Sequence, residues 1–283
     1  MRGLDSILGL LTGGQSFEKK ETRSLDTSGY THLKLTNHNG EVTIEGSDQR
    51  ELMLTATKKV RAWSEQEAQR RLDQIEIAVS TSERPKLGIS TDVSRLHRRW
   101  HWSVDYQIRL SENMSVWVEG ANGNITVSTV QGETKVNTKN GNICLSAIAG
   151  EARVKTINGN IKLVDVGGPV NGKTVNGSVN LLGVRGPVTI KSVNGSIRAR
   201  IRTFGKGDEG SLHTLNGSIE LQLPEGVSIK VVASTRNGSI RCAIPMEVIS
   251  QRRNYLEGTV GSGEGKIELG TTNGSIKISQ SEG

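Results

Sequence analysis

The dipeptide Asn-Gly returns along this chain at a fixed interval. It stands at Asn122, Asn140, Asn158, Asn176 and Asn194, each eighteen residues after the last. It continues at Asn216, Asn237 and Asn273, after 22, 21 and 36 residues, the last being two periods. So short a period cannot hold a helix–turn–helix unit, but it fits two short strands and two turns. Other columns keep the same interval. Ile125, Ile143, Ile161, Val179 and Ile197 follow the Asn-Gly corner, and Val127, Leu145, Leu163 and Leu181 lie two residues further on. Gly132, Gly150, Gly168 and Gly186 mark a second turn. Inside each segment apolar and polar residues alternate, which is the period-2 signature of a half-buried strand.

Two architectures can use this pattern. Asn-Gly between alternating runs is a strong hairpin signal, so an antiparallel β meander is the alternative. A meander, however, needs neither equal repeat lengths nor Asn at one fixed column. A solenoid needs both, because each coil stacks on the last and equivalent residues form ladders about 4.8 Å apart. The pattern therefore predicts an all-β parallel β-helix with coils of eighteen residues. In it Asn side chains hydrogen-bond along the stack and Gly supplies a left-handed backbone at the corner. Five of the corners read Asn-Gly-Ser and match the glycosylation sequon, but Ser at that place suits a turn.

Composition agrees. There are 34 glycines in 283 residues and only 3% aromatics, so turns are many and the core must come from Ile, Val and Leu. Cys144 and Cys242 are too few for a disulfide framework and lack a CxxC metal spacing. No run approaches the ~18 apolar residues of a membrane span. The opening MRGLDSILGLLTGGQSF has no convincing signal-peptide core. Taken together these place the chain in the cytoplasm.

Three regions follow. Residues 1–29 read as a tail or an amphipathic cap, with Leu4, Ile7, Leu8 and Leu11 on one helical face that could instead meet a membrane or partner. Residues 30–121 read as degenerate coils. Ser64 is placed there to cap a short helix over 64–74, with Glu67 as its capping-box partner. The segment from Trp100 to Leu110 alternates cleanly as a strand, and its two tryptophans read as core or cap packing. Residues 122–283 form the regular β-helix, interrupted by inserted loops near 204–210 and 246–265.

These features together resemble a known family. Gly40-Glu-Val42-Thr-Ile44 precedes a charged helical interlude and then the strand Tyr106-x-Ile108-x-Leu110. Repeats of the form N-G-[NS]-I-x-[LV] follow. From about Tyr30 onward the chain resembles the bacterial "putative adhesin" family of β-strand-repeat proteins, a domain of undefined function. The resemblance implies a right-handed parallel β-helix and a bacterial source. It implies no catalytic residues, and it points to the cell envelope as an alternative location.

Enzyme constellations are missing from the sequence. Gly205 to Gly210 formally matches G-x-G-x-x-G, but it lacks a βαβ context, and Asp208 and Glu209 would repel a pyrophosphate. His97 and His101 lie four apart in an extended stretch with no third ligand. In the regular coils the only acids are Glu133, Glu151 and Asp165, in a basic setting unsuited to paired acid–base work. The reading is therefore a non-enzymatic scaffold without cofactor or metal. A carbohydrate-active enzyme on a β-helix is the weakest of the alternatives.

Charge singles out one face. Residues 122–200 carry 10 Lys and Arg against 3 Asp and Glu, while the segments on either side are balanced, so the net charge of +7 sits in the regular repeat. Counting each Asn as position 1, position 14 holds Lys135 and Arg153, and position 16 holds Lys155, Lys173 and Lys191. Stacking would place the three position-16 lysines in register. This basic ladder is the candidate site for a polyanion, whether nucleic acid, an envelope polymer or anionic lipid, with an unknown protein as the other partner class. The bland alternative is a solvated face whose lysines discourage edge pairing. Self-association into filaments is a further expectation for a solenoid with weak caps.

Overall fold

The computed structural model describes residues 14–97 and 100–281. It contains two long sheets, of 12 and 13 strands, whose central strands are parallel. The chain alternates between the sheets, so each Asn-Gly corner carries it from the 13-stranded sheet to the 12-stranded one. This is the predicted solenoid, and the meander is excluded: Ile143 pairs in parallel with Ile125 on one side and Ile161 on the other. Between the sheets lies one continuous aliphatic core. Ile143, Leu145 and Ile148 face Ala152 and Val154, and each is at most 3% exposed. Burial on this scale stabilises by about 1.5–3 kcal/mol per large aliphatic side chain. Gly172 interrupts the Val154–Ile190 column because the Ile190 side chain fills the space that a Cβ would occupy, at 2.7 Å.

The corners differ from expectation in one respect. Gly40, Gly123 and Gly195 have a positive φ, of 118°, 136° and 158°, but Gly159 and Gly177 at equivalent corners do not. Glycine stands there because coils approach too closely for a side chain: a Cβ on Gly177 would lie 1.9 Å from the carbonyl oxygen of Gly159, and one on Gly159 2.0 Å from that of Gly141. Non-glycine residues with a left-handed φ occur at the opposite corner, at Thr129, Ala147 and Asp165, with φ of 57°, 52° and 51°, and Gly183 follows in the next coil.

The Asn ladder is present along the whole stack. Asn140 Nδ2 donates to Asn122 Oδ1 at 2.8 Å, Asn158 to Asn140 at 2.7 Å, and Asn176 to Asn158 at 2.8 Å. Asn194 donates to Asn176 and Asn216 to Asn194, and at the front Asn122 donates to Asn39. A second ladder runs inside it. Thr156, Thr174, Ser192 and Thr214 are buried, and each hydroxyl donates to a corner glycine carbonyl of the neighbouring coil.

The stacking order departs from the chain order at both ends. The last two strands, Gly265–Asn273 and Ile276–Gln280, do not form the end of the solenoid. Gly265–Asn273 lies between Glu209–Asn216 and Ile229–Asn237, and Ile276–Gln280 lies between Ile219–Leu223 and Ile240–Cys242. The Asn ladder follows this order, running from Asn216 to Asn273 and then to Asn237. The interval 246–265, expected as a loop, causes the inversion. It forms an antiparallel hairpin of Glu247–Arg252 and Tyr255–Val260, and the second strand covers the outer edge of Ile229–Asn237. With that edge taken, the final coil has only the inner edge to join. At the other end, Trp102–Ser111 similarly packs outside Val42–Ser47.

The front of the chain also carries a correction. Within the region expected as tail or cap, Gln15–Asp26 is a twelve-residue strand paired antiparallel with Glu51–Ala62. Its side chains are exposed or half-buried throughout, so no hydrophobic alternation announced it. Leu4, Ile7, Leu8 and Leu11 lie outside the described residues. The helix is Glu65–Asp73, and Ser64 accepts from the Glu67 amide as expected. Glu67 reaches back one residue further than a standard box, accepting from the amide of Trp63 at 3.0 Å. Trp100 and Trp102 are partly buried against the core, and the Arg71 guanidinium lies 4.4 Å over the Trp100 ring. No helix among the described residues is long and apolar enough to cross a membrane.

Candidate functional site

The basic ladder occupies four consecutive short strands of the 13-stranded sheet. Lys155 pairs with Lys173 and Lys173 with Lys191, so the three side chains project from one column of adjacent parallel strands. All three are exposed, and among the described residues none has a carboxylate within ion-pairing distance. Strand spacing puts their backbones about 4.8 Å apart.

The position-14 residues behave differently. Arg153 is held by Glu151 through two hydrogen bonds of 2.6 and 2.8 Å, with Glu133 at 3.7 Å. The guanidinium in turn holds the Glu151 carboxyl below its ordinary pKa. Lys135 Nζ stands 5.9 Å from the centre of the Trp117 ring. Of the five predicted cations, the structure thus brings three together unpaired and engages the other two. The sequence signal for this was visible in Glu133 and Glu151, two positions before the cations.

The lysine column continues into His213, which pairs with Lys191. The imidazole lies over Gly270, where a Cβ would come within 2.3 Å of Nδ1. Burial pushes the His213 pKa below the ordinary imidazole value; Glu268 opposes that shift and Lys191 adds to it. A base with a depressed folded pKa binds fewer protons folded than unfolded, so stability falls as pH drops through and below about 6.5. Denaturant midpoints of the wild type should therefore fall relative to those of His213→Gln between pH 7.5 and 5.5. Parallel profiles for the two proteins would remove this role.

Beside the lysines runs a column that sequence reasoning missed. Ile157, Val175, Val193 and Leu215 stand two residues after Lys155, Lys173, Lys191 and His213, and they are 40%, 39%, 38% and 47% exposed. Their backbones are stacked: the Asn176 amide donates to Ile157 O and the Asn194 amide to Val175 O, each at 2.7 Å. Period-2 counting places position 18 on the same outward face as positions 14 and 16, so four apolar residues there were a legible anomaly.

The remaining candidates resolve into structure. The Phe204–Gly210 segment is a turn leading into the strand Glu209–Asn216, and in it Asp208 accepts from the Gly205 amide at 2.6 Å. The His97 ring lies 6.0 Å from that of Trp100. Cys144 and Cys242 are free thiols. Among the described residues no three His, Cys, Asp or Glu side chains cluster as a metal site. Two grooves, each of about 450–470 Å³, lie on the outer face of the 12-stranded sheet. One of them is lined by Asp165, Arg200, Arg202 and Glu225, with Asp165 bound to Arg202 at 2.9 Å.

Comparison with known proteins agrees with this architecture. A "putative adhesin" from Bacteroides fragilis has a similar structure, with a TM-score of 0.50 at 14% identity, and the match covers 93% of this chain and 97% of the other. Another "putative adhesin", from Parabacteroides merdae, gives 0.50 at 9% identity with the same coverage. At such identities the likeness is one of fold alone. No curated protein matches. A family model covers residues 30–279, nearly the whole span of the two sheets, and by that match the chain belongs to the Toastrack DUF4097 family, a bacterial domain of unknown function.

Proposed function

We propose that this protein is a non-enzymatic β-solenoid scaffold that binds polyanions along the column Lys155, Lys173 and Lys191. The observation that carries this reading is the stacking of three unpaired lysines on adjacent strands while the neighbouring Arg153 is paired with Glu151. Neighbouring ammonium groups repel by about 1 kcal/mol per pair in water, less in salt. An anion bridging two rungs relieves that repulsion, and the parallel register repeats the opportunity at each rung. The acids of the regular coils support the non-enzymatic part. Glu133 and Glu151 face Arg153, and Asp165 faces Arg202, so each is committed to an ion pair rather than poised as an acid–base couple.

We further take the coils as right-handed, with eighteen residues per regular turn. The first follows the hand of nearly all strand–crossover–parallel strand connections. The second rests on the bridges from Asn122 through Asn140, Asn158 and Asn176 to Asn194. Antiparallel strands cover both ends of the 13-stranded sheet and one end of the 12-stranded sheet, which favours a discrete binding module over end-to-end filaments.

The test is chromatography on immobilised heparin at 50 and 500 mM salt. The wild type should be retained at low salt and released at high salt. Lys155→Gln/Lys173→Gln/Lys191→Gln should pass through at both. Retention of the triple variant equal to that of the wild type would assign binding elsewhere.

A further inference from the structure

We infer that the polyanion is presented by a membrane: the lysine column and the aliphatic column beside it form one surface that seats on an anionic lipid bilayer. This rests on the polyanion reading and names the partner within it.

Lysines alone suit any polyanion. The neighbouring Ile157, Val175, Val193 and Leu215 do not, because a soluble nucleic acid or polysaccharide presents phosphates or sulfates and leaves those side chains in water. A bilayer offers both chemistries at two depths, with phosphates at the headgroup level and hydrocarbon just beneath. The geometry matches. Four aliphatic residues on consecutive coils make a straight line three strand spacings long, about 14 Å. Each lysine precedes its aliphatic neighbour by two residues, roughly 6–7 Å of extended chain. A lysine stem is long enough to lift its ammonium to the phosphates while the aliphatic tip sits deeper.

The ends of the line are cationic as well. Position 18 of the preceding coil is Lys139, and beyond Leu215 the column passes Thr272 to reach Arg236, both cations being exposed. The acids nearest this face are engaged, Glu119 with Lys34 at 4.0 Å and Glu268 with Lys266 at 2.6 Å. An aliphatic line bordered by unpaired cations is complementary to an anionic bilayer in both charge and polarity.

The experiment is vesicle flotation. Vesicles of phosphatidylcholine alone are compared with vesicles containing about one third phosphatidylglycerol, with heparin retention measured in parallel. The wild type should float with anionic vesicles and stay behind with neutral ones. Removing the three lysines should weaken vesicle binding by about fivefold per lysine, on the order of a hundredfold together, and should abolish heparin retention. Ile157→Ser/Val175→Ser/Val193→Ser/Leu215→Ser should lose at least tenfold in vesicle binding and keep its heparin retention. If four changes weaken the fold, seen as a lowered thermal midpoint, Val193→Ser/Leu215→Ser makes the same comparison with a smaller loss.

Unchanged vesicle binding by the serine variants would overturn the membrane assignment and leave the polyanion reading intact. So would heparin retention without flotation of the wild type. A serine variant that turns an oligomer into a monomer with no effect on flotation would assign the aliphatic line to a second copy of the chain. Failure of the wild type on both heparin and anionic vesicles would remove both readings.

Discussion

Replacing Gly177 with alanine should destabilise the protein by about 3 kcal/mol or more, a fall of roughly 10 °C in thermal midpoint. The added Cβ would stand 1.9 Å from the carbonyl oxygen of Gly159 and 2.5 Å from its carbon. Both are backbone atoms of the neighbouring coil, so no side-chain rotamer relieves the contact. The two coils must separate, and separation weakens the Asn158–Asn176 bond and the Thr174 bond to the Gly159 carbonyl. Gly226→Ala supplies the control. Gly226 has a φ of 71° but nothing within 4 Å of a Cβ, so its replacement carries backbone strain alone, about 1–2 kcal/mol. Thermal melts of the two variants separate the effects. Equal losses would mean that the corner needs glycine for its conformation and not for the close approach.

Ending the chain at Ser262 should be far more damaging than loss of one terminal coil. The strands removed, Gly265–Asn273 and Ile276–Gln280, are interior members of both sheets. They bury Ile267, Leu269, Ile276 and Ile278 to 1% exposure or less. At about 1.5–3 kcal/mol each, those four side chains rival the whole stability of an ordinary domain. Their loss also strips Ile240–Cys242 of its strand partner and opens the edge of Glu209–Asn216. The expected result is an insoluble chain, or one whose protease-resistant core stops before residue 229. A soluble fragment protected up to residue 260 would show that the coils can close in chain order.

Much of the solenoid was legible in the residues. The eighteen-residue recurrence of Asn-Gly with an aliphatic column behind it leaves little else to build, because parallel stacking is what makes identical columns advantageous. The Asn ladder followed for the same reason, and so did the lysine column, since parallel register carries position 16 onto position 16. The helix after Ser64 was readable because its cap is local chemistry. Less was legible where the determinant is a contact between distant coils. The reason for the corner glycines looked conformational from the dipeptide, yet at Gly159 and Gly177 it is a close approach to a carbonyl eighteen residues away. The strand Gln15–Asp26 has no apolar alternation, because an edge strand facing water needs none. The buried threonines before each corner looked like ordinary polar strand residues until a carbonyl in the next coil was seen to satisfy them.

The sequence by itself determined the character of the repeating unit: its two strands, its aliphatic interior and the identity of its outward columns. Each is set by local alternation and by the requirement that like stack on like. Only the tertiary structure decided the order in which the units stack. Any regular coil can pair with any other, so the pattern leaves the last coil free to join either edge. The hairpin Glu247–Val260 resolves the choice by occupying the outer edge and sending the final strands inward. Tertiary structure likewise decided which cations stay available, because whether an acid reaches Arg153 or Lys155 depends on neighbouring side chains and not on column number.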